Sequence, residues 1–375
     1  MATSSPYTRA VVAAMRKLYP EDLADKSFDN TGLLLEAPYD PTKRQNNSVI
    51  LTVDLTKAVA DEAIERKDSV VIAYHPIIFR GLKSLTLKDT QQQTLLRLAA
   101  KGISVYSPHT AVDCAAGGLG DWLADIVTGT PTNPDDVADA EDTSSNKDSA
   151  SHESKSSSDD PFTAKRPTYR LQHHPSQLSL APDSLHLGKS EHTRYPIQSS
   201  PFASDYPGAG MGRIVRFEKP IALTSIIDRI GLGLGNPKGF PIAVPQGKMI
   251  SDMMIGSVGI CAGSGGHLFG SMKEDVDLYF TGEMSHHEAL AAIEQGKCVI
   301  CLFHSNTERG FLHSVLKGQL DHTIAVEWKR IQKEEAAKRG ISRDTKEALK
   351  DDGTEVYVSE IDRDPYGIMI SKEEV

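Results

Sequence analysis

A chain of 375 residues with 39% hydrophobic content is long enough for two domains and a substantial core. Its net charge of −10 and pI near 5.7 argue against nucleic-acid binding through the whole surface, and no apolar run approaches the roughly 20 residues of a membrane span. Four unevenly spread cysteines make no disulfide framework, which favours a reducing compartment, the cytoplasm first with the nucleus left open.

The opening residues lack acids and carry Arg9, Arg16 and Lys17, a pattern shared with mitochondrial import segments. The stripe Val11, Met15, Leu18 favours instead the first amphipathic helix of the domain, so mitochondrial import ranks behind the cytoplasm. Asp29-Asn30-Thr31-Gly32 is a turn signal feeding a short strand at Leu33-Leu34-Leu35. A strand over Ser48 to Val53 precedes a helix from about Thr56 to Arg66. The next strand, Val70 to Tyr74, stops at His75-Pro76. A helix from Thr90 to Lys101, capped by Gly102, leads to a strand from Ile103 to Tyr106 and into Ser107-Pro108-His109-Thr110-Ala111-Val112-Asp113. A helix around Leu119 to Val127 closes this region. Strands alternating with helices imply a mostly parallel sheet.

From Gly129 to about Pro207 the chain is polar, proline-punctuated and poor in aliphatics, which predicts a disordered insertion. Its histidines, His152, His173, His174, His186 and His192, read as solvated side chains. Order resumes at Met211, with strands at Arg213 to Phe217, Ile255 to Cys261 and Asp277 to Phe280 and a helix from Leu223 to Ile230. Gly282-Glu283-Met284-Ser285-His286-His287-Glu288 opens another helix. The apolar run Cys298 to Phe303 then ends on His304, with a helix expected from near Thr307 to about Leu316. A charged helix, Trp328 to Arg339, and a strand near Val356 to Ile361 follow.

The chemistry gathers where strands stop. His304 and Glu308 sit at i, i+4, as do His109 and Asp113, a spacing that brings side chains together on one helical face. With His75, these five residues form a candidate metal site at the carboxyl ends of three strands, where open α/β sheets place ligands. Imidazole with carboxylate suits zinc, iron, manganese or nickel, and spacing does not choose among them. A shared carboxylate would suit a dinuclear site for hydrolysis. The glycine loop Gly263 to Gly266 or Arg309 could hold an anion, although close backbone packing is the simpler reading of the loop. Cys298 and Cys301 have CxxC spacing inside a β run, so they should face opposite sides of the sheet as ordinary thiols. His286, His287 and Glu288 are read equally as supports for the site or as surface residues.

Taken together, Asp29-Asn30-Thr31-Gly32-Leu33, Tyr74-His75-Pro76-Ile77-Ile78-Phe79, the His109–Asp113 segment, the Gly282–Glu288 segment, His304-Ser305-Asn306-Thr307-Glu308-Arg309-Gly310 and the terminal Asp362-Arg363-Asp364-Pro365-Tyr366 resemble the NIF-three-like family, often labelled GTP cyclohydrolase type-one-like. The resemblance implies two related α/β lobes facing across a metal-containing cleft, residues 1–129 and 208–320. The disordered insertion, 130–207, splits them, and residues 321–375 complete the core. It implies two divalent ions per chain, with His75, His109, Asp113, His304 and Glu308 matching the family's ligands and Asp113 as the bridge. It also implies a homo-oligomer, a ring-like hexamer built from dimers. Many bacterial members have His-His-Pro where this chain has Tyr74-His75-Pro76, so one imidazole is missing and the two metal positions should be unequal. The activity implied is either metal-dependent hydrolysis of a nucleotide-like or phosphorylated small molecule, or a non-enzymatic role in metal handling or as a protein partner in transcriptional regulation.

Overall fold

In the computed structural model, residues 3–130, 169–173 and 188–371 are described. The first region runs α1 (Pro6–Leu18), β1 (Gly32–Leu35), β2 (Ser48–Thr52), α2 (Lys57–Arg66), β3 (Val70–Ala73), α3 (Thr90–Lys101), β4 (Ser104–Ser107), α4 (Thr110–Cys114) and α5 (Leu119–Thr128). Next come β5 (Tyr169–Gln172), β6 (His192–Tyr195), β7 (Gln198–Ser199), β8 (Gly210–Met211), β9 (Arg213–Ala222), α6 (Leu223–Gly233), β10 (Ile242–Ala243), β11 (Met254–Ser264), α7 (Gly266–Ser271), β12 (Leu278–Glu283), α8 (His286–Glu294) and β13 (Cys298–Cys301). The chain ends with α9 (Arg309–Phe311), α10 (Lys317–Ala336), α11 (Arg343–Ala348), β14 (Glu355–Val358) and β15 (Ile368–Ser371).

Two larger sheets organise a mixed α/β fold. The five-stranded sheet has the order β1-β4-β3-β2-β14. It is parallel except for β1, which runs antiparallel to β4. The six-stranded sheet has the order β10-β13-β12-β11-β9-β6, with a parallel centre (β11, β12, β13) and antiparallel flanks. Strand periodicity sorts the side chains. Val49 and Leu51 of β2 face one large core together with Val258, Ile260, Phe280 and Ile300 of the other sheet. Ile50 and Val71 face the opposite side, under α2 and α3. Residues of α1, α5, α6 and α10 fill the shared core, so these helices lie between the inner faces of the two sheets.

The helices begin and end for local reasons. Ser5 caps α1 with Pro6 at its first position, and Arg16 and Lys17 sit in its last turn, each placement favourable to the helix dipole or its free amides. Gly102, at φ +77°, closes α3 in the left-handed conformation that glycine adopts without strain.

Three expectations need correction. Residues 188–207, assigned by composition to a disordered insertion, are part of the fold. Here β6 pairs antiparallel with β9, and Arg194 reaches the Asp121 carbonyl and the Asp125 carboxylate of α5. Pairing and ion contacts supplied by distant residues order a strand whose own sequence is polar. Residues 169–173 of the same stretch also belong to the fold, β5 pairing antiparallel with β15 and His173, read as solvated, half-buried, while residues 131–168 and 174–187, with His152, His174 and His186, lie outside the described residues. His192, read as solvated, is half-buried on β6 with Nδ1 2.7 Å from the Ser190 carbonyl. Finally, the helix expected to stop near Leu316 does not stop. From Arg309 it passes through a π-turn over Leu312–Leu316 into α10 and absorbs the charged helix expected separately from Trp328.

Candidate metal centre

Strand ends from both sheets converge on one place. His75 follows β3, His109 follows β4, and His304 lies three residues beyond β13. The His75 ring centroid is 5.6 Å from that of His109 and 5.3 Å from that of His304. Glu308, only 3% exposed, extends between two of the imidazoles: Oε2 is 3.4 Å from His75 Nε2 and Oε1 is 3.4 Å from His304 Nε2. Ligand atoms of His75, His304 and Glu308 all lie within 4.8 Å of one another. His109 and Asp113 border this trio through Tyr74, whose ring lies 5.1 Å from that of His75 and 5.5 Å from that of His109. The Tyr74 hydroxyl donates to Asp113 Oδ1 at 2.6 Å.

Each imidazole is oriented from behind by a carboxylate. Asp54 Oδ1 meets His75 Nδ1 at 2.9 Å, Asp29 Oδ1 meets His109 Nδ1 at 2.7 Å, and Glu283 Oε1 meets His304 Nδ1 at 3.0 Å. A carboxylate on Nδ1 fixes the tautomer that leaves Nε2 as the ligand atom and raises its basicity. Sequence reasoning assigned no role to Asp54, Asp29 or Glu283. Their signal was available: Asp54 lies just past β2 and Glu283 ends β12, so both obey the strand-end rule that found the histidines, and Asp29 sits in a turn already marked.

Backbone strain is concentrated here. His109 adopts φ +33° and Phe303 φ +65°, a region few side chains occupy. Asp29 holds the His109 turn in place by also accepting from the Thr110 amide at 3.2 Å and from the Thr110 hydroxyl. The Phe303 reversal turns His304 out of the strand direction toward Glu308.

The glycine loop packs against the ligands. At Gly263 (φ +60°) an added Cβ would lie 2.7 Å from Glu308 Oε1 and 2.9 Å from His304 Nε2, while its amide donates to Thr307 Oγ1 at 2.9 Å. Close backbone packing is therefore the loop's observed role. Gly263→Ala is expected to lower metal affinity by about tenfold or more, read by elemental analysis after dialysis, with the fold retained by circular dichroism. Unchanged metal content would show that the ligands tolerate displacement.

Arg309, considered as an anion holder, is 4% exposed and committed elsewhere. Its Nη2 donates to Asp362 Oδ1 at 2.9 Å and lies 3.7 Å from Asp54 Oδ2, and its Nη1 donates to Ser305 Oγ at 2.6 Å. It braces the carboxylate that orients His75. The C-terminal segment joins in: Asp362 Oδ2 accepts from the Val53 amide at 2.7 Å, and Asp364 Oδ2 accepts from the Ser305 amide and hydroxyl at 3.1 and 2.7 Å. His286, His287 and Glu288 stay exposed, Glu288 completing a capping box with Ser285. Cys298 packs in the shared core and Cys301 against the outer face of the same sheet, on opposite sides as their spacing implies.

The electrostatics favour positive charge among these side chains. Burial pushes the His75 imidazole down, but the charge of Glu308 and the hydrogen bond His75 donates to Asp54 outweigh it and raise it to about 10. Burial lifts the Asp113 carboxyl to about 6 against the pull of His109 and Tyr74. Burial also opposes ionisation of Asp54 and Asp29, yet their histidine partners keep both below the usual carboxylate range. Glu308 Oε2 is buried without a hydrogen bond of good geometry. A buried carboxylate oxygen without a well-formed hydrogen bond is costly, and a divalent cation held by Glu308, His75 and His304 would satisfy it. The donor set, two imidazoles and a carboxylate, fits a transition metal.

Known proteins resemble this chain over most of its length. The family model described as Duf34/NIF3 (NGG1p interacting factor 3) matches residues 7–365. The Schizosaccharomyces pombe protein NIF3 homolog is 40% identical over 303 residues, 80% of this chain and 84% of its own. The Saccharomyces cerevisiae NGG1-interacting factor 3 is 35% identical over 360 residues, covering 95% of this chain and 94% of its own. Among solved structures, Staphylococcus aureus protein SA1388 superposes with a TM-score of 0.56 at 18% identity, covering 95% of this chain and 97% of its own. Reduced HcgD from Methanocaldococcus jannaschii gives 0.53 at 15% identity, covering 96% and 99%. At those identities the structures speak for the fold alone. From the near-complete match to the family and from relatives at this identity, the chain belongs to the Duf34/NIF3 family.

Proposed function

We propose that the two α/β lobes of this chain face across a cleft that holds two divalent metal ions, and that the centre hydrolyses a nucleotide-like or phosphorylated small molecule. The observation that carries the reading is Glu308, a buried carboxylate with an unsatisfied oxygen between two imidazoles. His75, His304 and Glu308 would hold one ion, and His109 and Asp113 the other, with Asp113 shared between them. When bound, such ions supply Lewis acidity toward a carbonyl or phosphoryl oxygen and make water a stronger acid. The chain's own contribution is orientation: Asp54, Asp29 and Glu283 aim the imidazoles, and Arg309 with Asp362 fixes Asp54. Screening the metal-loaded protein against nucleotides and phosphodiesters tests the reading. Turnover lost in Asp113→Ala supports it, and full metal occupancy with no turnover on any member of the panel overturns the hydrolase.

That second outcome favours a non-enzymatic role in metal handling or as a regulatory protein's partner, which the name of the S. cerevisiae relative, NGG1-interacting factor 3, supports. A homo-oligomer, a ring-like hexamer built from dimers, belongs to the same reading, and light scattering of the full chain tests it. No helix among the described residues is long and apolar enough to cross a membrane.

Tyr74 makes the two positions unequal. Its phenol is buried, burial foremost keeps it protonated, and it donates to the carboxylate assigned as the bridge. Stepwise chelation is expected to remove one equivalent well before the other, and Tyr74→His to narrow the gap. Two equivalents leaving together in both proteins would remove Tyr74 as the source of asymmetry.

A further inference from the structure

Beside the metal centre stand two aromatic side chains that the core does not take in. Phe28 and Phe79 are 52% and 44% exposed, and neither joins an apolar core. Phe79 is nonetheless built against the site. Its ring meets the His109 imidazole edge to face, with centroids 6.4 Å apart and planes at 83°. Phe28 lies next to it, the two phenyl centroids 6.3 Å apart and their planes inclined at 47°.

Two turns from distant parts of the chain hold this pair. Phe28 directly precedes Asp29, which orients His109 through Nδ1 at 2.7 Å, and the Asp25 amide donates to Thr110 Oγ1 at 2.9 Å. Phe79 follows Ile78, whose carbonyl accepts from Asn30 Nδ2. The ties that aim the imidazole therefore also fix the phenyl rings, so the pair is preorganised together with the ligand it touches. The stretch from Pro76 to Lys88 carries Arg80, Lys83 and Lys88, all exposed, and no acidic residue, in a chain of net charge −10. Its local field favours an anionic ligand over a cationic one. A flat apolar surface against a metal ligand, in that field, fits a molecule with a planar aromatic ring and an anionic group.

We propose that Phe28 and Phe79 determine the specificity of the metal centre and select a nucleotide over a phosphorylated sugar. The inference rests on the reading of the centre as a metal-dependent hydrolase, which leaves that choice open. The base lies against the two phenyl rings and leaves the phosphoryl group to the side of the metal ligands. A base stacked on one ring meets the other obliquely, and such stacking tolerates any base because each has a π face. A sugar phosphate offers no such face and gains nothing from the pair beyond buried area.

Calorimetric titration of the full metal-loaded chain with adenosine monophosphate, uridine monophosphate and ribose 5-phosphate tests this. A nucleotide should bind about tenfold more tightly than ribose 5-phosphate, the scale of one base stacked on an aromatic side chain. Phe79→Leu and Phe28→Leu keep an apolar side chain without the π face, and each should remove most of that preference while metal content stays at the wild-type level. Phe79→Tyr, which restores the face, should keep the preference. The proposal is overturned if nucleotides and ribose 5-phosphate bind alike, if the preference survives both leucine substitutions, or if no probe saturates. Light scattering of the variants covers the rival occupant: an oligomer that dissociates while the nucleotide preference stays intact would give the pair to a second copy of the chain. The hydrolase reading fails separately, when nucleotides bind with this preference and none is turned over. Turnover of ribose 5-phosphate as fast as of nucleotides would keep the hydrolase and overturn the role of the two rings.

Discussion

Glu308→Gln is expected to lose transition metal by more than about 100-fold in affinity, beyond the 10- to 100-fold typical of losing an outer hydrogen-bonding partner. The amide keeps the shape of the side chain but removes the charge that both imidazoles face at 3.4 Å. The same substitution should flatten the pH dependence of binding. In wild type the proton on His75, held to about 10 largely by Glu308 and Asp54 against its burial, has to leave before Nε2 can bind a cation. Affinity should therefore rise by about one decade per pH unit toward that value and fall more steeply once the pH drops below about 6, where Asp113 is also protonated. Without metal the linkage has the opposite face. The folded His75 value exceeds its ordinary 6.5, so the stability from its ion pairs is complete below 6.5 and is lost as pH rises through about 10. Metal titrations at several pH values, paired with denaturation of the metal-free protein, read both slopes. Equal affinities and slopes in wild type and variant would remove Glu308 from the ligand set.

What the sequence made legible was the strand-end grammar. Apolar runs ending on His75, His109 and His304 fixed the sheet-end position, and the i, i+4 carboxylates pointed to a shared crevice. The structure brings His75, His304 and Glu308 together in that way. Missing were the contacts that depend on elements far apart in the chain. Asp54 and His75 are 21 residues apart, Asp29 and His109 are 80 apart, and Asp362 lies 309 residues from its Val53 partner. No local period encodes such pairs. The same limit explains β6, a polar segment made into a strand by β9 and by Asp125. It also explains Arg309, which beside a glycine resembles an anion ligand in sequence but is buried among carboxylates in the fold. The continuous helix from Arg309 into α10 was missed for a different reason. A π-turn over Leu312–Leu316 shifts the apolar stripe, so the 3.6-residue period breaks where the helix continues.

Arg213→Met is expected to cost on the order of 3–5 kcal/mol of stability, the range for removing one partner from a buried ion pair. Arg213 is 1% exposed and uses its guanidinium fully. Nε and Nη2 meet both oxygens of Asp121 at 3.0 and 2.7 Å, Nη1 reaches the carbonyls of Gly210 and Gly212 at 2.7 Å each, and Nη2 also reaches the Ala115 carbonyl at 3.0 Å. Asp121 belongs to α5, Ala115 ends α4 and Arg213 opens β9, so one side chain ties the helix carrying Asp113 to the six-stranded sheet. Methionine would fill much of the volume while removing the donor shared by three carbonyls and leaving Asp121 only the Gly117 amide at 2.9 Å and the Arg194 guanidinium at 3.6 Å, so the loss should exceed that of trimming an apolar side chain of similar size. Burial opposes ionisation of Asp121, yet Arg213 brings it below its ordinary 3.8. The pair's contribution is therefore present above 3.8 and lost as the pH falls through the lower folded value. In wild type the denaturation midpoint should drop along that acid limb, and in Arg213→Met much of that drop should already be absent because the pair is gone. A shift below about 1 kcal/mol, the scale of a surface ion pair, would mean that Arg213 adds little to the packing of α4 and α5 on the six-stranded sheet.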